Sequence, residues 1–203
     1  VIKIDYSQFS CLIVTGTCLA AEPSRTAIFE AFNLASLWKL PVLYIIENNM
    51  YGMGTSVNRS SAGSDLFKRG QPFGIPGAIV DGMNVFKVRE AAYNAGKHVR
   101  SGKGPYILEV QTYRYKGHSM SDPAQYRSKK ELENYKQKDP IEQIKNLLLS
   151  KNILSINEIE LVDKNIKEQI KKSVDFAEKS PYPNKEEVFS DIYVQKDYPF
   201  IKE

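Results

Sequence analysis

Residues 41–54 of this 203-residue chain are PVLYIIENNMYGMG, and this stretch decides the fold. The run from Val42 to Ile46 is apolar on both faces of a strand, which is typical of the interior of a parallel sheet. It stops abruptly at two asparagines and a glycine-rich turn. Residues 106–122 repeat the pattern, because the apolar run YILEVQTY precedes the polar segment RYKGHSMSD. Two strand ends therefore carry the polar residues of this region.

Helical patterns precede both strands. Apolar residues recur at helical spacing between Ile28 and Leu40, with Ser24 as the candidate N-cap, and again between Val85 and Arg100. Residues 79–80 predict one more short strand, and residues 10–14 another near the N-terminus. Alternation of helix and strand predicts an α/β fold in which helices flank a mainly parallel sheet. We expect the crossover connections to be right-handed.

Two further segments have a different character. Between the strand ends, residues 55–77 contain several glycines and prolines, which predicts a long polar loop with one helical turn at residues 65–68. Beyond Asp122, charged amphipathic patterns predict a helical C-terminal extension with helices at residues 128–137, 140–150 and 155–179. The spacing of Ser155 and Glu158 is that of a capping box. The longest helix has only a partial apolar stripe, which favours a position on the surface or against a partner.

Composition argues against several classes of protein. With 42% hydrophobic residues the chain can bury a core, and no run approaches the roughly eighteen apolar residues of a membrane helix. The net charge of +4 comes mainly from lysines interleaved with glutamates after Ser128, a solvated pattern that does not favour nucleic-acid binding. Cys11 and Cys18 match no zinc or redox spacing. The first residues lack the order of a secretory signal. We therefore expect a soluble protein that binds neither membranes nor nucleic acid.

Chemistry is expected at the carboxyl ends of the strands, where ligands of open parallel sheets bind. Asn48, Asn49, Tyr51 and His118 would lie there. Asparagine and backbone carbonyl oxygens suit Mg²⁺, and Gly52 would let the backbone approach a phosphate. The alternative is a plain turn after a strand. His118 could hold a phosphate or move a proton, or it could simply be an exposed loop histidine.

Several motifs carry a resemblance to a known family. They are FEAFN at residues 29–33, WKLP at 38–41, ENN at 47–49, YGMGTS at 51–56, VDGM at 80–83 and YRYKGHSMSDP at 113–123. Together they resemble the alpha subunits of the pyruvate dehydrogenase decarboxylating component, from about Ile28 to the C-terminus. The resemblance implies oxidative decarboxylation of pyruvate with thiamine diphosphate and Mg²⁺, and transfer of the acetyl group to lipoamide. The motifs favour this type over alpha subunits that act on branched-chain 2-oxo acids or acetoin.

The resemblance also implies roles for single residues. Asn49 matches the family's side-chain Mg²⁺ ligand, and Tyr51 matches the position whose backbone oxygen binds the metal. Gly52 matches the glycine at the diphosphate. His118 matches the catalytic histidine near the cofactor and the incoming lipoyl group.

Four other positions match the family's loop-ordering or regulatory sites. Arg114 and Asp122 match residues that order the loop around the histidine. Ser119 and Ser56 match serines that are phosphorylated in mitochondrial members. The third such position corresponds to Gln125, which has no hydroxyl group.

One departure from the family pattern concerns the metal. The family motif Gly-Asp-Gly supplies an aspartate ligand, and ungapped alignment places Leu19-Ala20-Ala21 there. Allowing a gap brings Gly16-Thr17-Cys18 opposite, and no carboxylate lies between Asp5 and Glu22. The departure predicts either an altered reading frame in this segment or a lost ligand. The second case gives an impaired enzyme or a non-catalytic remnant that keeps only the subunit interface.

The resemblance to this family also implies an oligomeric assembly and a cellular location. It predicts a heterotetramer with a beta subunit, and contact with the lipoyl domain of the acyltransferase. A bacterial cytoplasm is the expected location, with the mitochondrial matrix as the alternative. The chain divides into an atypical segment at residues 1–27, a cofactor-binding α/β core at 28–127 and the helical extension at 128–203. Family members are longer at the N-terminus, so we expect this chain alone to bind thiamine diphosphate weakly or not at all.

Overall fold

A computed structural model of the chain describes residues 12–17 and 25–189. The strands are β1 (Leu12–Thr17), β2 (Val42–Asn48), β3 (Tyr51–Gly52), β4 (Thr55–Ser56), β5 (Gly77–Asp81) and β6 (Tyr106–Gln111). The helices are α1 (Arg25–Leu37), α2 (Val57–Ser60), α3 (Val85–Arg100), α4 (Lys129–Lys136), α5 (Pro140–Ser150) and α6 (Ile156–Lys179). Short 3₁₀ helices span Leu66–Phe73 and Lys185–Phe189. The predicted N-cap Ser24 and the predicted strand residues 10–11 lie outside the described residues.

The main sheet is parallel and has the strand order β1-β2-β6-β5. Ile46 of β2 pairs with Glu109 of β6, and Asn48 pairs with Gln111. Because the two strands run in the same direction, both carboxyl ends finish side by side. Strands β3 and β4 form a small antiparallel hairpin directly after β2. The predicted α/β fold with a mainly parallel sheet is confirmed.

Helices cover both faces of the sheet, as the apolar run of β2 requires. One buried cluster joins the sheet to α1 and to the first 3₁₀ helix, and contains Phe32, Ile46, Val57, Leu66, Ile75 and Ile107. The other joins the opposite face to α3, and contains Leu43, Val80, Ala95 and Leu108. Burying one such aliphatic side chain stabilises the fold by roughly 1.5–3 kcal/mol. The core therefore fixes where β2 and β6 end.

The prediction of a long polar loop at residues 55–77 is wrong in part. Helix α2 and the first 3₁₀ helix lie within it, and Leu66 and Ile75 are each only 1% exposed. Single apolar residues between glycines and prolines are enough to anchor the segment in the core, although they show no period. At Gly70 a side chain would collide with Ile107 of β6, so the backbone packs directly on the sheet.

The C-terminal region is helical, as predicted. The chain divides into two compact units, Val1–Ile144 and Lys145–Glu203. Ser155 and Glu158 form the capping box at the start of α6, as their spacing indicates. No residue of α6 is buried, and its apolar side chains, including Leu161 and Ile170, are exposed. No helix in the described part of the chain is long and apolar enough to cross a membrane.

Candidate functional site

The asparagine turn, residues 48–54, continues β2 into the β3-β4 hairpin. The side-chain oxygen of Asn48 accepts a hydrogen bond from the backbone N–H of Met50 at 3.0 Å, and that of Asn49 accepts one from Tyr51 at 3.2 Å. Met50 has a φ of 71°, in the left-handed region. Two successive asparagines thus close the turn through their own side chains, which is a common use of this residue type.

The buried side chain of Glu109 binds the asparagine turn from the interior of the protein. Glu109 of β6 has no exposed surface, and its Oε1 accepts a hydrogen bond from Nδ2 of Asn48 at 2.7 Å. Its Oε2 accepts one from the backbone N–H of Phe67 at 3.0 Å. Both of its partners are donors, so each carboxylate oxygen is used. The asparagine turn is therefore tied to the sheet and to the 3₁₀ helix in the interior.

The histidine loop, residues 113–126, follows β6. The carboxylate of Asp122 accepts hydrogen bonds from the backbone N–H groups of His118 and Ala124, at 2.7 and 2.8 Å, and from the hydroxyl of Tyr126 at 2.9 Å. These bonds, first of all that from the His118 N–H, lower the pKa of Asp122 below its ordinary value. Gly117 is required here, because a Cβ atom would come within 2.9 Å of the Asp122 side chain.

Arg114 joins the two loops. Its Nη2 donates to the backbone oxygen of Met53 at 2.7 Å and to the hydroxyl of Tyr126 at 2.9 Å. Arg127 holds the same loop from the other end, since it donates to the backbone oxygens of Arg114, Tyr115 and Lys116. Its guanidinium also lies 5.3 Å from the centre of the Tyr113 ring. Two arginines thus fix the path of the chain ahead of His118.

Helix α4 contacts both loops through one carboxylate. The hydroxyl groups of Tyr51 and Tyr113 both donate to Oε1 of Glu131, at 2.9 and 3.1 Å. Burial, followed by the bond to Glu131, raises the pKa of Tyr51 to about 12 and also raises that of Tyr113. Both hydroxyls therefore stay protonated and act as donors at neutral pH.

The remaining predicted site residues lie on the same two loops. His118 is exposed, and so is Ser119, whose hydroxyl lies 3.1 Å from that of Ser121. Ser56 is half-buried at the start of α2. Gly52 lies in β3. The structure thus brings the asparagine, tyrosine and histidine candidates to one edge of the sheet.

Comparison with known proteins identifies the family. The family model described as "Dehydrogenase E1 component" matches residues 4–186. The chain belongs to this family. The E1 alpha subunit of Rickettsia bellii, named "Pyruvate dehydrogenase E1 component subunit alpha", is 50% identical over 167 residues, which are 82% of this chain and 51% of the relative. The protein of the same name from Rhizobium meliloti is 53% identical over 166 residues, which are 81% and 48% of the two chains.

A mitochondrial E1 relative matches as well. The protein named "Pyruvate dehydrogenase E1 component subunit alpha, mitochondrial" from Sminthopsis macroura is 46% identical over 200 residues, which are 98% of this chain and 53% of the relative. The chain therefore spans about half the length of the curated relatives it matches.

The donor set of this E1 chain fits a magnesium–diphosphate group. Asn49 and Tyr51 offer neutral oxygens of the kind Mg²⁺ binds, and this ion commonly takes its other ligands from phosphate and water. Among the described residues, no group of three or more His, Cys, Asp and Glu side chains could hold a metal ion. Ala20, which the ungapped alignment predicts at the position of the family's aspartate, lies outside the described residues.

A separate cavity of about 420 Å³ lies at the carboxyl ends of β5 and β6. Met50, Asp81, Gln111 and Lys138 are among its lining residues, and none of the site residues predicted from the sequence lines it. Met50 is the lining residue that belongs to the asparagine turn, so the cavity adjoins the turn without including the predicted cofactor-binding residues.

Three residues of the site are not evident from the sequence. For Glu109 the sequence offers one indication, because it is a single carboxyl residue inside an apolar strand. For Glu131 and Arg127 it offers none, because each is an ordinary charged residue in a charged segment. Their contacts depend on where α4 packs, which the helical period alone does not determine.

Proposed function

We propose that this chain is the cofactor-binding part of an E1 alpha subunit that oxidatively decarboxylates pyruvate with thiamine diphosphate. In that reaction the carboxylate of pyruvate leaves as carbon dioxide, and the lipoyl disulfide is reduced as it accepts the acetyl group. One observation carries the proposal: Arg114 bonds to the Met53 backbone oxygen at 2.7 Å and so joins the asparagine turn to the histidine loop. The names of the relatives favour pyruvate over branched-chain 2-oxo acids or acetoin.

The asparagine turn would hold the charged end of the cofactor. The side-chain oxygen of Asn49 and the backbone oxygen of Tyr51 would bind Mg²⁺, and Gly52 would leave room for a phosphate. Thiamine diphosphate, when bound, supplies the carbanion and the electron sink that decarboxylation requires. Asn48 and Glu109 would keep the turn in place during binding, because their bond is buried.

The histidine loop would handle protons and the incoming lipoyl group. His118 is exposed and its backbone is fixed by Asp122, so its imidazole can reach outward from an ordered loop. Arg114 orders the loop, as the family resemblance implies for this position. Ser119 is exposed and Ser56 half-buried, so phosphorylation would reach Ser119 more readily.

The proposal includes partners and a location. A beta subunit would complete the active site, and a lipoyl domain would receive the acetyl group. The exposed apolar stripe of α6 supports a subunit contact. Bacterial relatives support a cytoplasmic enzyme, while the mitochondrial relative keeps the matrix as the alternative.

The test is to assemble the chain with the beta subunit from the same organism and a lipoyl domain. Release of carbon dioxide and acetylation of lipoamide are measured with pyruvate, a branched-chain 2-oxo acid and acetoin. We expect turnover of pyruvate and its loss in an Asn49→Ala variant, while Glu133→Gln on the exposed face of α4 serves as the control. Preference for another substrate would contradict the assignment to pyruvate.

A second arm separates an impaired enzyme from a non-catalytic remnant. Leu19→Gly, Ala20→Asp and Ala21→Gly together restore the family's Gly-Asp-Gly motif. Activity that appears or rises after this change supports an enzyme with a damaged metal site. Absence of activity in both forms, with the beta subunit still bound, supports the remnant.

A further inference from the structure

Glu131 stands out because one oxygen atom accepts two hydrogen bonds from different loops. Its Oε1 lies 2.9 Å from the hydroxyl of Tyr51 and 3.1 Å from that of Tyr113. Tyr51 belongs to the asparagine turn, whereas Tyr113 begins the histidine loop. Tyr51 and Tyr113 are 62 positions apart in sequence and meet at this carboxylate.

The carboxylate is itself held in place. Ser128, the N-cap of α4, accepts a hydrogen bond from the backbone N–H of Glu131 at 3.1 Å, so Glu131 lies in the first turn of the helix. The ring of Tyr113 stacks on that of Tyr135, one turn further along, with 4.0 Å between centroids and 5° between planes. The helix and the strand end are thus packed together on both sides of the carboxylate.

Glu131 is the acceptor in both hydrogen bonds. A tyrosine hydroxyl has one proton, and both tyrosines direct theirs to Glu131. Bonds from a neutral donor to an ionised acceptor are about twice as strong as neutral ones. The rings of Tyr51 and Tyr113 also meet edge to face at 6.5 Å, so a shift of either ring disturbs the other. Glu131 therefore holds one tyrosine of each loop at the same time.

We propose that Glu131 is a positioning residue that couples the asparagine turn to the histidine loop. This inference rests on the proposed function, because the turn would bind the magnesium–diphosphate group and the loop carries His118. Glu131 contacts neither group. It sets the backbone of Tyr51, whose oxygen is the candidate metal ligand, relative to the loop that presents the histidine.

Hydrogen exchange on the intact chain tests the coupling itself. Glu131→Ala removes the acceptor of both hydrogen bonds and is expected to speed exchange of amides at residues 50–56 and 113–118 together, roughly tenfold. Glu131→Gln keeps a neutral acceptor and is expected to give an intermediate rate. The control is Glu133→Ala, on the same helix and exposed, which should change neither segment. Faster exchange in only one segment, or in none, would overturn the coupling.

A second measurement tests whether the coupling through Glu131 affects Mg²⁺ binding. In the assembled enzyme, Glu131→Ala is expected to raise the Mg²⁺ concentration for half-maximal activity roughly tenfold, while kcat at saturating Mg²⁺ stays within about twofold. The same shift should appear in calorimetry of Mg²⁺-dependent thiamine diphosphate binding. A lower kcat with an unchanged Mg²⁺ requirement would mean a structural role only. If the unsubstituted assembly shows no activity, the proposed function fails, and the exchange experiment still decides the coupling.

Discussion

The asparagine turn and the histidine loop are neighbours at one edge of the sheet, but they are held in different ways. The turn depends on Glu109, whose carboxylate has no exposed surface. The loop depends on Asp122 and Arg114, whose hydrogen bonds lie at or near solvent. A buried bond is costly to break because the released groups find no water, whereas an exposed one exchanges partners with water at little cost.

The difference suggests a division of labour under the proposed function. A turn that binds a metal ion must keep its oxygens in one geometry, and buried hydrogen bonds do that. A loop that admits a lipoyl group must open and close, and solvent-exposed bonds allow it. Substitutions that break the buried bonds of the turn should therefore lower the stability of the protein most. Substitutions in the loop should have smaller effects, mainly on how well the loop is ordered.

The strongest test of the comparison is Glu109→Gln. The amide can accept from Nδ2 of Asn48 or from the backbone N–H of Phe67, but its own NH₂ group then faces the other donor. We expect the free energy of unfolding to fall by about 1–3 kcal/mol, because a buried donor is left unsatisfied. Urea denaturation measures the change, with Glu90→Gln on the exposed face of α3 as the control.

A neutral result at Glu109 would contradict the interpretation. If Glu109→Gln and Glu90→Gln unfold at the same urea concentration, the buried group does not act as a two-acceptor carboxylate. The asparagine turn would then be held no more firmly than the histidine loop.

Gly117→Ala should separate the loop from the turn. The added Cβ would overlap the side chain and backbone of Asp122, so Asp122 must move and the hydrogen bond that the His118 N–H donates to its carboxylate is lost. We expect hydrogen exchange at residues 116–124 to quicken, with less than about 1 kcal/mol change in global stability, since the loop is exposed. A global loss as large as that of Glu109→Gln would show that the two regions do not differ. The matched control is Gly63→Ala, where no atom lies within 4 Å of the added methyl group.

The pH dependence of the loop follows from Asp122. Its pKa is lower in the folded loop than in the open chain, so protonation favours the open form. The ordering is therefore complete above about pH 4, the usual range for an aspartate, and is lost as the pH falls through the lower folded value. The amide proton shift of His118, followed by NMR from pH 6 to 2, reports this change. In Asp122→Asn the shift should be independent of pH over this range, and the amide shift of Asn48 serves as the reference from the turn.

The sequence predicted the strand ends that carry the site, but not the residues that hold the two loops in place. The apolar run before Asn48 and that before Tyr113 are strong local signals, because a strand buried on both faces leaves few alternatives. The order of β2 and β6 then places both loops at one edge. Glu109 and Glu131 act across 61 and 80 positions, and such contacts leave no local pattern. The prediction of a long polar loop at residues 55–77 was wrong in part for a related reason, since Leu66 is buried by distant residues and not by its own segment.

The smallest expected effect is that of a charge at Ser119, and it bears most directly on regulation. Ser119→Glu places a carboxylate in the exposed loop that Asp122 orders, so like charges repel. Exposed charge pairs contribute little and are screened by salt, so we expect amide exchange in the loop to quicken by less than about twofold, and by less still at 1 M salt. Hydrogen exchange at residues 116–124 in low and high salt measures the effect, with Ser119→Gln as the uncharged control. The asparagine turn should not respond, because its bond to Glu109 is buried. If the turn loosened with the loop, coupling through Glu131 would extend to Ser119, and a phosphate there would act on the candidate metal ligands as well as on His118.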